Sequence, residues 1–267
     1  CIVSKLFTRN TMTEQIRVQP PFFEVTKPFG PYMATIELPE EVIVNLTKMT
    51  DDLLKNPNTP SHGQHLAGVI HDEKLIYQQD FIDAGVNDML EGCVRTYVYE
   101  SIIRHGNPKD SSIETRINSA WIVSQYQNEY NPTHGHTGCE ISGVLYLKTP
   151  DVKNRRKIPS KEGKKDHDGD ITFTYNSESQ RNGELLSKGV MQITPSRGLM
   201  LLFPSWLLHQ VYPFIGKDER RSIAFNANYK VGIEHDDGYH EWLGGNETNL
   251  KLEYTYWDKT KIKGETK

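Results

Sequence analysis

Cysteine is scarce in this chain, with three residues at positions 1, 93 and 139 among 267. An odd number without paired spacing excludes a disulfide-stapled secreted scaffold and is typical of a reducing compartment. We therefore expect a cytoplasmic protein. A chain of this length buries enough surface to fold without covalent cross-links.

Long apolar runs and an excess of positive charge are also missing. No segment comes near the roughly 20 consecutive apolar residues that a membrane-spanning helix needs, so we expect no membrane partner. The formal net charge is −4, which gives no global electrostatic reason to expect nucleic acid binding. The oligomeric state has no signature in the sequence.

Two amphipathic patterns in the first half predict helices. From position 39, PEEVIVNLTKMTDDLLKN places apolar residues at intervals of three and four, with acidic residues in the first turn. A second pattern covers roughly residues 82–104 and ends at the HGNP stretch of residues 105–108. With an extended lead-in, these helices predict a supporting region over residues 1–116.

The second half is rich in short segments of branched and aromatic residues. Eight strand candidates lie between residues 117 and 230: SAWIVSQY, the residues around 130–136, ISGVLYL, DITFTY, GVMQIT, GLMLLF, LLHQVYPF and RRSIAFNANY. Such a series favours a β-barrel or sandwich. We assign residues 117–230 to this core and residues 231–267 to an extension packing on it, with an edge strand at 250–257. The basic stretch 153–165 is interpreted as a solvated loop, or alternatively as a lid that contacts an acidic substrate or nucleic acid.

Chemistry-bearing residues begin with the HGH triplet. His134 and His136 are two residues apart, so on a regular strand both face the same side, and Glu140 follows soon after. Two imidazoles and one carboxylate with open positions form the ligand set of non-haem Fe(II) oxygenases. Taken alone, an HxH pair is equally compatible with surface histidines.

A later histidine and arginine give the triplet more weight. His209 lies in the apolar segment WLLHQVYPF, and the next strand candidate opens with two arginines. An arginine in a barrel interior can hold a dicarboxylic acid through its two-pronged guanidinium group. Together these residues predict a metal site beside a carboxylate anchor.

Residues 121–228 resemble the Fe(II)/2-oxoglutarate dioxygenase superfamily, and more narrowly its bacterial and phage oxygenases. The resemblance rests on YNPTHGHTGCEISGVLYL at 130–147 and FPSWLLHQVYPF at 203–214. It implies a mainly β fold with N-terminal helices around a double-stranded β-helix (a jelly-roll, cupin-like core). It also implies Fe(II), and 2-oxoglutarate as co-substrate, in the cytoplasm of a bacterial or phage-infected cell.

The resemblance also implies roles for particular side chains. His209 matches the distal metal ligand, and Arg221 matches the residue that pairs with the far carboxylate of 2-oxoglutarate, while Arg220 should face the other side. Tyr146 stands where related prolyl hydroxylases have a tyrosine bonded to that carboxylate. Tyr126, with Trp121 and Trp206, is a candidate pocket residue or plain core.

The HxH triplet departs from the usual HxD or HxE and leaves three ligand assignments open. In the first, His136 and Glu140 bind the metal, as in cupins. In the second, His134 binds and His136 replaces the acid. In the third, His136 binds with His209 alone, and Gly138 stands where the acid would be.

The function implied is hydroxylation of a peptide or protein side chain, with release of succinate and CO₂. A nucleobase or a small metabolite remains open as substrate, because fold-level analogy does not choose among them. Two other classes also remain. One is a cupin-type metalloenzyme without 2-oxoglutarate, which Glu140 favours and the arginine disfavours. The other is a non-catalytic barrel that binds a ligand or partner.

Overall fold

The computed structural model describes residues 22–26, 30–103, 111–150, 167–175, 189–234 and 240–243. Within these ranges, no helix is both long enough and apolar enough to cross a membrane. The elements are β1 (Phe22–Thr26), β2 (Met33–Glu37), α1 (Glu40–Lys55), β3 (Asp72–Ile76), α2 (Gln78–Asp83), α3 (Asn87–Val98), β4 (Ser111–Gln125), β5 (Asn131–His134), β6 (Ile141–Lys148), β7 (Ile171–Thr174), β8 (Val190–Ile193), β9 (Leu199–Pro204), β10 (Leu208–Val211), β11 (Arg220–Glu234) and β12 (His240–Leu243).

The order of the strands confirms the predicted double-stranded β-helix. One sheet contains β9, β6, β11 and β4 as neighbours, and a second sheet has the order β5-β10-β7-β8. From β4 to β11 successive strands therefore alternate between the sheets, except at the β7–β8 hairpin. All eight strands predicted between residues 117 and 230 are present.

The first half supplies more strands than its sequence pattern predicted. β1 and β2 extend the larger sheet beyond β9, and β3 extends it beyond β4. The helix predicted over residues 82–104 is broken, because Gly85 adopts a left-handed backbone (φ 71°) between α2 and α3. A π-helical turn, Tyr99–Ile103, follows α3. The predicted features at residues 105–108, 153–165 and 250–257 lie outside the described residues.

Two apolar layers cover opposite faces of the larger sheet, since side chains alternate along each strand. Toward the helices, Leu145 of β6 and Phe225 of β11 join residues of α1 and α3. Toward the smaller sheet, Tyr146 of β6 packs with Phe173 and Phe203. This alternation decides which residues of β4, β6 and β11 reach the space between the sheets.

Candidate metal centre

Three histidines meet between the two sheets. His134 ends β5, His136 lies two residues later, and His209 of β10 is paired with His134 across the smaller sheet. The ring centroid of His209 lies 4.3 Å from that of His134 and 5.1 Å from that of His136. One ligand atom from each residue lies within 4.8 Å of the others. This spacing fits a single metal ion.

Backbone carbonyls determine which ring nitrogen carries the proton in two of these residues. Nδ1 of His134 lies 2.7 Å from the carbonyl oxygen of Pro132, and Nδ1 of His209 lies 2.9 Å from that of Leu207. A carbonyl only accepts, so Nδ1 donates and Nε2 keeps its lone pair. Each ring therefore presents a nitrogen able to bind a metal ion.

Burial keeps the cluster uncharged. Desolvation lowers the pKa of His134 and of His136, and it lowers the pKa of His209 to about 3, with repulsion from His134 adding to the effect. Metal ligation requires neutral imidazole. The three side chains are therefore in the ligand form near neutral pH.

The structure places Glu140, one of the predicted ligands, outside the histidine cluster. Its Oε2 accepts a hydrogen bond from the backbone N–H of Tyr229 (2.9 Å), and its own N–H donates to the carbonyl of Ala227 and the side chain of Asn228. The chain turns at Gly138, which has a positive φ of 74°, and this turn carries Glu140 onto β11, away from the cluster. The geometry thus matches the second assignment, in which His136 takes the place of the acid.

A cavity of about 270 Å³ extends from the histidines between the sheets. Trp121 of β4 lines it, with its ring centroid 6.0 Å from that of His136 and 4.9 Å from that of His62. One wall comes from the segment between α1 and β3, through His62, His65, Leu66, Ala67 and Ile70. No sequence pattern pointed to this wall, because the segment is irregular and carries no recognisable spacing.

The two arginines of β11 face opposite sides from those predicted. Arg220 lines the cavity, whereas Arg221 points toward α1, where it binds Thr50 and Asp51. It also binds Glu219, the residue that precedes β11. The physical reason is the alternation along β11. Ile223 and Phe225 face the helices, so Arg221, two residues before Ile223, must share their side.

Arg220 is a buried cation that makes no salt bridge among the described residues, although the buried carboxylate of Asp170 is near enough to raise its pKa. It is 1% exposed, and its Nε donates to the carbonyl of Gly169 (3.3 Å) while Nη2 has no hydrogen-bond partner. Its guanidinium carbon lies 5.0 Å from the ring centroid of the fully buried Tyr146, whose hydroxyl also has no hydrogen-bond partner. Burial lowers the pKa of Arg220 and raises that of Tyr146. Two adjacent unmatched groups of this kind fit a carboxylate of a bound ligand.

Tyr126 does not have the predicted pocket position. Its side chain is 43% exposed, and the preceding residue, Gln125, lines the cavity instead. Since Trp121, Val123 and Gln125 line the cavity, the next residue, Tyr126, points away from it. Trp206 is exposed as well, so only Trp121 of the three aromatic candidates reaches the site.

Comparisons with known proteins give one family match and several similar structures. Residues 119–226 match a family model described as "Putative 2OG-Fe(II) oxygenase". A prolyl hydroxylase from Trichoplax adhaerens, in complex with a hypoxia inducible factor oxygen degradation domain peptide fragment, is similar with 16% identity over 77% of this chain and 82% of that chain (TM-score 0.47). A Pseudomonas putida prolyl-4-hydroxylase is similar with 15% identity over 73% and 91% (TM-score 0.45). HygX from Streptomyces hygroscopicus, with nickel and 2-oxoglutarate bound, is similar with 13% identity over 73% and 81% (TM-score 0.44).

No curated protein matches the sequence. The family match covers both histidine motifs and Arg220, and enzymes of this family use Fe(II) and 2-oxoglutarate. The resemblance predicted from the motifs is thereby confirmed. Residues 119–226 of this chain are therefore similar to the 2OG-Fe(II) oxygenases, a family of oxidoreductases.

Proposed function

We propose that this chain hydroxylates a peptide or protein side chain, with Fe(II) held by His134, His136 and His209. The observation that carries the proposal is the pairing, in one cavity, of this neutral cluster with the unmatched guanidinium of Arg220. A metal site alone would suit many enzymes. A metal site with a buried cation beside it suits one that also binds a dicarboxylate.

The ligand set has a consequence for what binds next. Three neutral imidazoles leave both positive charges of Fe(II) uncompensated, and Arg220 adds a third in the same cavity. A dianion such as 2-oxoglutarate would compensate both the charge of the iron and that of Arg220. Arg220 and Tyr146 would then hold its far carboxylate. When bound, the iron and the co-substrate supply O₂ activation and the oxidation of a C–H bond.

Other residues of the cavity orient and shield the reactants. Phe203 and Phe173 pack against His209, with ring centroids 4.9 and 5.9 Å from its own. They limit the directions that this ring can take, and they keep water from one side of the site. Such a dry wall strengthens the electrostatic interactions inside.

The size of the cavity supports a side chain as the oxidised group. Small-molecule sites commonly measure roughly 300–1,000 Å³, and here about 270 Å³ must hold the co-substrate as well. The remaining space suits one inserted side chain, with the rest of the substrate on the surface. Exposed Val69 and Tyr130, which pair with each other and adjoin the lining residues Ile70 and Asn131, offer an apolar rim for that remainder.

Succinate formation tests the activity. Purified protein with Fe(II), ascorbate, O₂ and 2-oxoglutarate should release succinate, and His209→Ala should abolish the release. Tight Fe(II) binding without any 2-oxoglutarate binding would instead indicate a metalloenzyme that does not use this co-substrate. Failure to bind Fe(II) or Co(II) under anaerobic loading would indicate a binding module.

The substrate class needs a second measurement. A protein digest, freed of metabolites by gel filtration, should stimulate succinate release and yield peptides heavier by one oxygen atom. ¹⁸O₂ should label that atom. Stimulation by the metabolite fraction and not by the digest would contradict a peptide substrate while leaving the oxygenase activity intact.

A further inference from the structure

The three histidines differ in what orients their rings. Backbone carbonyls accept from Nδ1 of His134 and His209. His136 has no such carbonyl, and its Nδ1 lies 2.6 Å from Oδ1 of Asn226 and 2.8 Å from Oγ of Ser142. The histidine that stands in place of the usual carboxylate is thus the one whose orientation depends on side chains.

The amide of Asn226 directs its oxygen toward His136 and also contacts two serine hydroxyls. Its Oδ1 also accepts from the hydroxyl of Ser142 (3.1 Å), and its Nδ2 donates to Oγ of Ser119 (3.4 Å) on β4. With the oxygen directed at His136, Nδ1 must donate, and Nε2 is left free. If the amide were reversed, its N–H₂ would face Nδ1, the proton would move to Nε2, and the ring could not bind a metal ion.

The backbone is shaped at this position. The pairing of β11 with β4 shifts register between Asn226 and Ala227. Irregularities of this type redirect side chains and are frequent beside active sites. Here the extra residue is Asn118 of β4, and the next residue, Ser119, stands opposite Asn226 and contacts its amide.

We propose that Asn226 is a positioning residue, which fixes His136 as the third metal ligand and thereby allows this site to work without a carboxylate. The inference rests on the proposed three-histidine site and adds the residue that sets its geometry. Hydrogen-bond partners of metal-binding histidines typically change metal affinity by about 10- to 100-fold when removed.

Co(II) alone is a suitable probe, because binding can be followed by its visible absorption and by competition with a chelator, with no need for turnover. We expect Asn226→Ala to weaken Co(II) binding by about 10- to 100-fold. Asn226→Asp keeps the acceptor oxygen beside Nδ1 and should bind Co(II) at least as tightly as wild type, with a shifted absorption band. Asn228→Ala is the control, because Asn228 is a more deeply buried asparagine two residues along the same strand, and its side-chain oxygen accepts from the N–H of Glu140.

The outcomes separate the two proposals. If wild type binds Co(II) and Asn226→Ala binds it within twofold of wild type, the role of Asn226 is refuted while the metal site stands. Equal weakening by Asn226→Ala and Asn228→Ala, or no recovery in Asn226→Asp, would show general damage to the sheet and would also refute it. If wild type and His209→Ala both fail to bind Co(II), the proposed metal site is refuted, and the proposed role of Asn226 is refuted with it.

Discussion

Exchanging the two neighbouring arginines for methionine should produce opposite effects, since β11 turns them to different environments. Arg220→Met removes the unmatched guanidinium of the cavity, and Arg221→Met removes the hub of an ion-pair network against α1. Methionine keeps most of the side-chain length and apolar contact, so the comparison isolates the charge and its hydrogen bonds.

The magnitudes follow from the contacts. A hydrogen bond to a charged group contributes about 1.5–3 kcal/mol. A guanidinium can bind a carboxylate through two of its nitrogens, so the substitution removes two such hydrogen bonds. Arg220→Met should therefore weaken 2-oxoglutarate binding by at least about 3 kcal/mol, which is more than a hundredfold in Kd. Without ligand it should change stability little, because it removes a buried charge that makes no salt bridge among the described residues, although the attraction to the buried Asp170 is lost with it.

Arg221 stabilises the folded state. Its Nε and Nη2 bind both carboxylate oxygens of Glu219 (2.6 and 2.9 Å), and Nη1 binds Thr50 and Asp51. Burial alone would raise the pKa of Glu219, but hydrogen bonds led by that of Arg221 hold it below its usual range. We expect Arg221→Met to cost about 2–4 kcal/mol of unfolding free energy and to leave the affinity for 2-oxoglutarate within a few-fold of wild type.

Thermal unfolding without ligand, together with calorimetric titration of Mn(II)-loaded protein with 2-oxoglutarate, measures both effects. We expect Arg220→Met to lose affinity for 2-oxoglutarate with little change in stability, and Arg221→Met to lose stability with little change in that affinity. Loss of 2-oxoglutarate binding in Arg221→Met, with normal binding in Arg220→Met, would refute the assignment of the cavity face of β11.

Two further predictions concern buried groups. Tyr146→Phe should weaken 2-oxoglutarate binding about tenfold with no loss of stability, since its hydroxyl has no partner until a ligand arrives; calorimetry that shows unchanged affinity would contradict this. Burial raises the pKa of Glu73 to about 7. Between about pH 4.5 and pH 7, Glu73 therefore keeps its proton in the folded state and loses it in the unfolded chain. The free energy of unfolding consequently falls as the pH rises from about 5 to 7. Glu73→Gln removes this loss and should gain up to about 3 kcal/mol relative to wild type at pH 8 and little at pH 4; a difference in unfolding free energy that does not vary with pH would contradict it.

The sequence was most informative where local pattern and burial agree. Eight short strands with turn residues between them predicted the β-helix, and the family motifs located His136 and His209 before any coordinates. The helix over residues 82–104 was overestimated because a single glycine, Gly85, interrupts a continuous apolar pattern.

The errors for Arg221 and Tyr126 share one cause, the choice of strand face. RRSIAFNAN alternates between Ile223 and Phe225 on one side and Ser222, Ala224 and Asn226 on the other. We expected Arg221 to hold the far carboxylate of 2-oxoglutarate, but the side of β11 that lines the cavity is the polar one, which carries Arg220. The small and polar residues at every second position after Arg220 were the sequence signal that this arginine faces the cavity.

Glu140 and the wall at residues 62–70 were beyond the reach of sequence pattern. The fate of Glu140 depends on the left-handed turn at Gly138 and on hydrogen bonds to β11, which is distant in the chain. The wall is brought to the site by its neighbour β3, which pairs with β4 at the edge of the larger sheet. Both are tertiary effects without a local signature.

Metal stoichiometry in four single variants tests the three-histidine site most directly. Anaerobic loading with Fe(II), followed by metal analysis after desalting, should give one ion per chain in wild type and in Glu140→Gln. The same treatment should give little or no bound iron in His134→Ala, His136→Ala and His209→Ala. Full iron binding in His134→Ala together with loss in Glu140→Gln would contradict the site and restore the carboxylate as a ligand.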